Sequence, residues 1–226
     1  MKKEFVISLG GSIVVPGKID TKYLFNFKQM IERNLKDHKY YIIVGGGNLA
    51  RDYQNAGREV KKEMKNDDLD WIGIQATKLN AQLVRSVFGD IAYKDIFREP
   101  DKVKFVREKI YVGGGWKPGR STDYVATRLA SKLGVKTVIN LSNIDYVYDK
   151  DPNKYKNAKP IQDITWKEFR KLVGGKWVPG AHVPFDPEAC KLAEKSGLDV
   201  IIMNGKKLDQ LEQLIRGVEF NGTIIR

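Results

Sequence analysis

The sequence predicts an α/β protein, a three-layer αβα sandwich around a central, mostly parallel sheet. Three observations predict it. Short runs that are apolar throughout alternate with longer segments of 3.6-residue periodicity, the pattern of strands covered on both faces by helices. Glycine clusters follow three of those runs directly, at the strand ends where a parallel sheet opens its ligand crevice. The 226 residues, 42% of them hydrophobic, can bury a large core, and no break in composition divides them. Residues 1–226 are therefore expected to form one domain.

The first strand is FVISL, residues 5–9, which runs into Gly10-Gly11 and Ser12. Residues 22–36 follow with helical spacing. YYIIV, residues 40–44, is β-branched and aromatic and ends in three glycines, after which residues 48–63 and 70–88 read as helices. Residues 89–108, rich in charge, read as irregular. KIYVG, residues 109–113, is the next strand, and residues 122–133 the next helix. KTVINL, residues 136–141, and DVIIM, residues 199–203, are again apolar strands. Between them residues 142–187 carry five prolines and read as a functional lid or insertion. Helices are expected over residues 187–196 and 207–216.

The glycine turns carry the chemistry. In ISLGGS, Gly10 and Gly11 lack a Cβ and let backbone N–H groups approach a phosphate closely, although a plain tight turn explains them equally well. In YYIIVGGGNLAR the glycines open a helix, whose free N–H groups and positive end favour an anion, with Arg51 one turn in to add a forked contact. VGGGWKPGRSTD repeats the pattern with Lys117 and Arg120 in the loop and Ser121 or Thr122 capping the next helix. Three such turns at the carboxyl ends of parallel strands would converge on one sheet edge. A fourth segment, LSNIDYVYDKDP, offers Tyr148 to stack on a base and Asp151 to accept from a ribose, against the plainer reading of a polar turn. The P-loop pattern and the dinucleotide fingerprint are both absent.

Composition excludes other classes. Residues 1–10 hold no signal-peptide pattern, and no apolar run approaches the ~20 residues that span a bilayer, so a cytoplasmic protein without membrane contact is expected. The single cysteine, Cys190, sits at helical spacing and reads as a buried structural thiol, and no metal-ligand pattern is present. Lysine and arginine outnumber acids 40 to 28, for a net charge of +12, but the surplus is scattered. Small anions are thus expected as ligands and nucleic acid is not.

In these motifs the chain resembles the amino acid kinase family, and within it the archaeal-type uridylate (UMP) kinases. The resemblance runs in order through ISLGGS, GGGNLAR, DWIGIQATKLNAQLV, GGWKPGRSTDYVA, SNIDYVYDKDP, FDPEACKLAEKSG and NGTII. It implies the amino acid kinase fold and direct in-line transfer from ATP, with Mg²⁺, to UMP. By resemblance Ser8, Leu9, Gly10, Gly11 and Ser12 would lie along the ATP phosphates with Gly47 and Arg51, and Ser142, Tyr148 and Asp151 would form the ATP nucleoside pocket. Gly46 and Asp70 would contact UMP, the acid at the start of its helix, where a plain N-cap is the alternative. Trp116, Lys117, Pro118, Gly119, Arg120, Ser121 and Thr122 would clamp the UMP phosphate and uracil. Many family members carry lysine where this chain has Ser8, so Arg51, Lys117 or Arg120 is expected to supply the catalytic charge. Tyr146 stands where the family usually has glycine. His182 is expected to be a loop residue without a role. A homo-hexamer is implied. A sister kinase acting on another small phosphate or carboxylate, and a non-catalytic nucleotide or oxyanion binder, remain the alternatives.

Overall fold

The computed structural model describes residues 3–103, 108–152, 154–173 and 184–226; His182 and Pro179 lie outside them. A seven-stranded sheet runs in the order β3-β2-β1-β4-β8-β9-β7. Its strands are β1 (Lys3–Leu9), β2 (His38–Val44), β3 (Ile110–Gly113), β4 (Thr137–Ser142), β7 (Asp163–Ile164), β8 (Asp199–Asn204) and β9 (Thr223–Ile225), while β5 (Val147–Tyr148) and β6 (Pro160–Ile161) form a separate hairpin. β1, β2, β3, β4 and β8 are mutually parallel, and β9 runs antiparallel to β8. The chain steps from β1 to β2 and β3 on one side and to β4 and β8 on the other, so the topological switch point lies between β1 and β4.

Alternation along the strands splits the core into two layers. One face carries Ile7, Leu9, Ile42, Val44, Val112, Ile139, Leu141 and Met203. It packs against α2 (Thr21–Arg33), α4 (Asn66–Phe88) and α8 (Leu208–Arg216), whose Phe27, Met30, Val84, Phe88, Leu211 and Ile215 are buried. The other face carries Val6, Tyr41, Ile43, Tyr111, Val138, Val200 and Ile202 against α5 (Thr122–Leu133), α6 (Trp166–Val173) and α7 (Pro187–Lys195). The expected three layers are present. Cys190 is buried in the second layer, where burial pushes its thiol up to about 12, as fits a structural residue.

Helix starts follow local chemistry. Asp20 accepts from the Tyr23 N–H to cap α2, and Asp186 accepts from Ala189 N at 2.7 Å to cap α7, with Pro187 in its first turn. Two expectations are corrected. Residues 142–187 are not wholly an insertion, because they supply the β5–β6 hairpin, β7 and α6. In α6 Phe169 is fully buried and the Trp166 indole N–H donates to the Leu198 carbonyl at 3.2 Å, so this segment closes the core. Asp70 is no cap either: α4 begins at Asn66, with Asp67 and Asp68 in its first turn, and Asp70 lies one turn in.

Candidate active site

The carboxyl ends of β1, β2, β3, β4 and β8 meet along one edge, and backbone hydrogen bonds lock them there. Gly10 N donates to Leu141 O at 2.9 Å, Gly45 N to Leu9 O at 2.9 Å, and Gly205 N to Ser142 O at 2.8 Å. α1 (Gly11–Val14) starts from Gly10 and α3 (Gly47–Val60) from Gly46, and neither start carries a side-chain cap. Ile13 N and Asn48 N donate to Gly10 O at 2.9 Å and Val15 O at 3.1 Å, so what the two turns offer a ligand is their first amides and their dipole ends.

The glycines do more than open space for a ligand. A methyl group built on Gly11 would sit 2.0 Å from the Gly47 nitrogen, and Gly47 itself has φ +62° with its own Cβ position 2.2 Å from Gly11 O. The first two turns are thus pressed backbone against backbone. Sequence reasoning assigned these glycines to ligand approach or to tight turns; packing of turn on turn requires them as well. Below the second turn, buried Asn80 donates to Gly45 O at 2.9 Å and Gly46 O at 3.0 Å.

The third turn is fastened to α4. Gly115 N donates to Thr77 Oγ1 at 2.6 Å, and that hydroxyl donates onward to Ile74 O at 2.7 Å. Gly119 N donates to Asp70 Oδ2 at 2.7 Å, so Asp70 holds the tip of the Trp116–Thr122 loop. Replacing Thr77 by valine strands the buried Gly115 N–H, which should destabilise the fold by about 1–3 kcal/mol. Differential scanning calorimetry should record a melting temperature lower by roughly 2–10 °C.

The cations of the loops are already engaged. Arg51 is exposed on α3 and donates to Asn48 Oδ1. Lys117 Nζ lies 4.2 Å from the Trp116 ring centroid. Arg120 stacks on Tyr124 at 4.3 Å and pairs with Glu188 at 3.7 Å. Ser121 Oγ accepts from Tyr124 N at 3.1 Å as the cap of α5, and Thr122 is its first residue. Of the remaining positions, Leu9 is buried and offers only its backbone, and Ser142 borders Gly205 at the end of β4. Tyr148 lies in β5, and exposed Asp151 follows it into the hairpin's connecting segment.

One group was missed by sequence reasoning. Ser8 and Asn140 are partners in register on β1 and β4 and point to the α5 face, beside the apolar Val6 and Val138. The Ser8 hydroxyl and the Asn140 amide both donate to Asp123 Oδ1, each at 2.8 Å. Asp123 opens α5 directly beneath the switch point. Burial pushes its carboxyl up to about 6; the Asp186 charge adds to the push, while the bonds from Ser8, the Asp186 backbone and Asn140 oppose it. The available signal was polar Ser8 and Asn140 interrupting strands that are otherwise apolar throughout.

A parallel sheet with uncapped, glycine-lined helix starts at its switch point defines an α/β protein built to hold phosphate groups. The model of the amino acid kinase family matches residues 3–204. The chain is 35% identical to a uridylate kinase of Methanobrevibacter smithii over 98% of this chain and 99% of that one. It is 37% identical to one of Staphylothermus marinus over 100% and 99%. The crystal structure of uridylate kinase from Archaeoglobus fulgidus superposes with a TM-score of 0.83 at 29% identity, covering 100% of both chains. The chain belongs to the amino acid kinase family.

Proposed function

We propose that this chain is an ATP:UMP phosphotransferase that moves the γ-phosphoryl group of ATP onto UMP, giving ADP and UDP for pyrimidine nucleotide biosynthesis. The observation that carries the reading is full-length likeness to uridylate kinases joined to a sheet edge where glycine turns meet. Donor phosphates lie along Ser8, Leu9, Gly10, Gly11 and Ser12 and the start of α3 at Gly47, and the donor nucleoside lies by Ser142, Tyr148 and Asp151. UMP lies between Gly46, Asp70 and the loop from Trp116 to Thr122. Transfer is in line and direct, since a loose transition state asks for positioning and positive charge rather than a covalent nucleophile.

Where family members place lysine, Ser8 here is tied to Asp123, so charge must come from the loops. Lys117 and Arg120 rest on aromatic rings, contacts weak enough to exchange for a phosphate, and Arg51 stands at the second turn. Mg²⁺ enters with ATP as its substrate complex. Among the described residues no three acids, histidines or cysteines gather to hold a metal, whereas one carboxylate plus phosphate oxygens and water is the ordinary setting for this ion. Asp123 is the carboxylate that would take that place, and the ion would neutralise charge between the β- and γ-phosphates.

A coupled ADP-release assay with ATP and Mg²⁺ against UMP, CMP, dTMP, isopentenyl phosphate, aspartate and glutamate tests the reading. Strong preference for UMP is the expected result; preference for another acceptor would make the chain a sister kinase. ATP binding with silence toward every acceptor would make it a non-catalytic binder, the alternative that Ser8 favours. Asp70→Asn should raise the UMP KM about tenfold, the scale of one charge-assisted bond, while the ATP KM stays put. No helix among the described residues is long and apolar enough to cross a membrane. We place the enzyme in the cytoplasm as one domain assembling to a homo-hexamer, for which analytical ultracentrifugation is the check. Exposed Tyr53, Val60, Trp71 and Leu79 on α3 and α4 offer apolar surface for such contacts.

A further inference from the structure

The segment after β4 is fastened at several points, and the fastening frames two aromatic rings. Asp145 pairs with Lys207 Nζ at 2.8 Å and accepts from Asn204 Nδ2 at 3.0 Å. The Tyr146 hydroxyl donates to Asn221 Oδ1 at 2.8 Å, and Asn221 N in turn donates to Gln210 Oε1 at 2.8 Å. The Tyr146 and Tyr148 rings stand edge to face, 6.5 Å apart at 86°. Both are half-buried, so each keeps surface toward solvent. They follow β4 and lie at the same end of the sheet over the entry to β9, where Tyr146 is bonded to Asn221 and Val147 N to Thr223 Oγ1.

Two rings held at right angles at the rim of a phosphate edge suit a flat heterocycle, because any base offers a π-face to an aromatic wall. We infer that Tyr146 is a specificity-determining residue for the phosphoryl donor: its ring, fixed by Asn221, forms with Tyr148 the corner that receives the donor's purine. The inference rests on the function proposed above and deepens its donor side. A ring clamped by its own hydroxyl leaves less room for adjustment than a free side chain, so the corner discriminates between bases by shape. The bond to Asn221 is a positioning contact and touches no reacting atom.

The test compares Tyr146→Ala, Tyr146→Phe and Asn221→Ala with the unmodified protein. For each, KM is measured for ATP, GTP and CTP at saturating UMP, and for UMP at saturating ATP; binding of a fluorescent ATP analogue is titrated without UMP. Tyr146→Ala should raise the ATP KM and the analogue's Kd about tenfold, the effect of losing one stacking partner. It should also narrow the preference among donors and leave the UMP KM unchanged. Tyr146→Phe and Asn221→Ala should each give the same smaller rise, about two- to threefold, because they break the same bond. Unchanged donor KM and selectivity in a folded Tyr146→Ala would overturn the inference, and should that variant not fold, unchanged values in both other variants would do so. A wild-type chain that turns over no UMP would sink the proposed function, and the analogue titration would still decide the role of Tyr146.

Discussion

Asp123→Asn is expected to lower turnover about a hundredfold and, at neutral pH, to make the protein more stable. The first effect follows from position. The carboxylate gathers Ser8 from β1, Asn140 from β4 and the start of α5 at the switch point, and a displacement of ~1 Å at such a point is worth about 10² in rate. The neutral amide also gives up the charge proposed above to face Mg²⁺. The second effect follows from burial. The native pKa of about 6 lies above the ordinary 3.8, so the protonated form favours the fold. Its stabilising contribution is complete below pH 3.8 and is lost as pH rises through about 6.

Above pH 7 the wild type should therefore carry a penalty that the asparagine variant lacks, about 2 kcal/mol after allowing for the weakened bonds from Ser8 and Asn140. Urea denaturation at pH 8 and pH 4 measures it. The variant should lead at pH 8 and lose that lead at pH 4; equal stability of the two proteins at pH 8 would count against a strained carboxylate. Slow turnover together with higher stability separates a residue kept for function from one kept for the fold.

Among the described glycines, Gly11→Ala should be the most damaging added methyl. Its Cβ would meet backbone on three sides, with the Gly47 nitrogen at 2.0 Å and Gly45 C and Gly46 N at 2.6 Å. Backbone cannot rotate aside as a side chain can, so the first two turns must separate. Overpacking of this kind costs about 3 kcal/mol, roughly 6–12 °C in melting temperature. Affinity for ATP should fall with it, because both turns carry donor-phosphate amides. Gly134→Ala makes the comparison: it sits at φ +69° with nothing within 4 Å of its Cβ. The same scan should show it losing about 1–2 kcal/mol with ATP affinity intact. Equal ATP affinity in both variants would mean that the turn-on-turn contact does not shape the donor site.

The five principal strands were legible because a strand covered on both faces is apolar at nearly every position, and their observed spans match the expected ones within two residues. The helix α6 was lost among the prolines although its start is written in the chain. Thr165 and Glu168 form a reciprocal capping box, with Thr165 N donating to Glu168 Oε2 at 3.1 Å and Glu168 N to Thr165 Oγ1 at 3.3 Å. β9 spans three residues and owes its existence to its neighbours, which no local pattern announces. Asp123 was hidden for a different reason. Its partner Ser8 lies 115 residues away in the chain, and Ser121-Thr122 beside it already explained the helix start. Asp70 was read for its chemistry, and its grip on Gly119 N was not foreseen, because that depends on how the loop returns to α4.

β9 also sets an order of assembly. Asp163 and Ile164 of β7 pair only with Ile224 and Ile225, and Thr223 Oγ1 accepts from Val147 N at 2.8 Å and donates to Ile161 O. The pairings of β1, β2, β3 and β4 need nothing beyond residue 142, whereas the hairpin and β7 dock only once residues 223–225 have joined β8. On the function proposed above, the donor-nucleoside side of the crevice, with Tyr148 and Asp151, would then be the last part of the site to take shape in a folding chain.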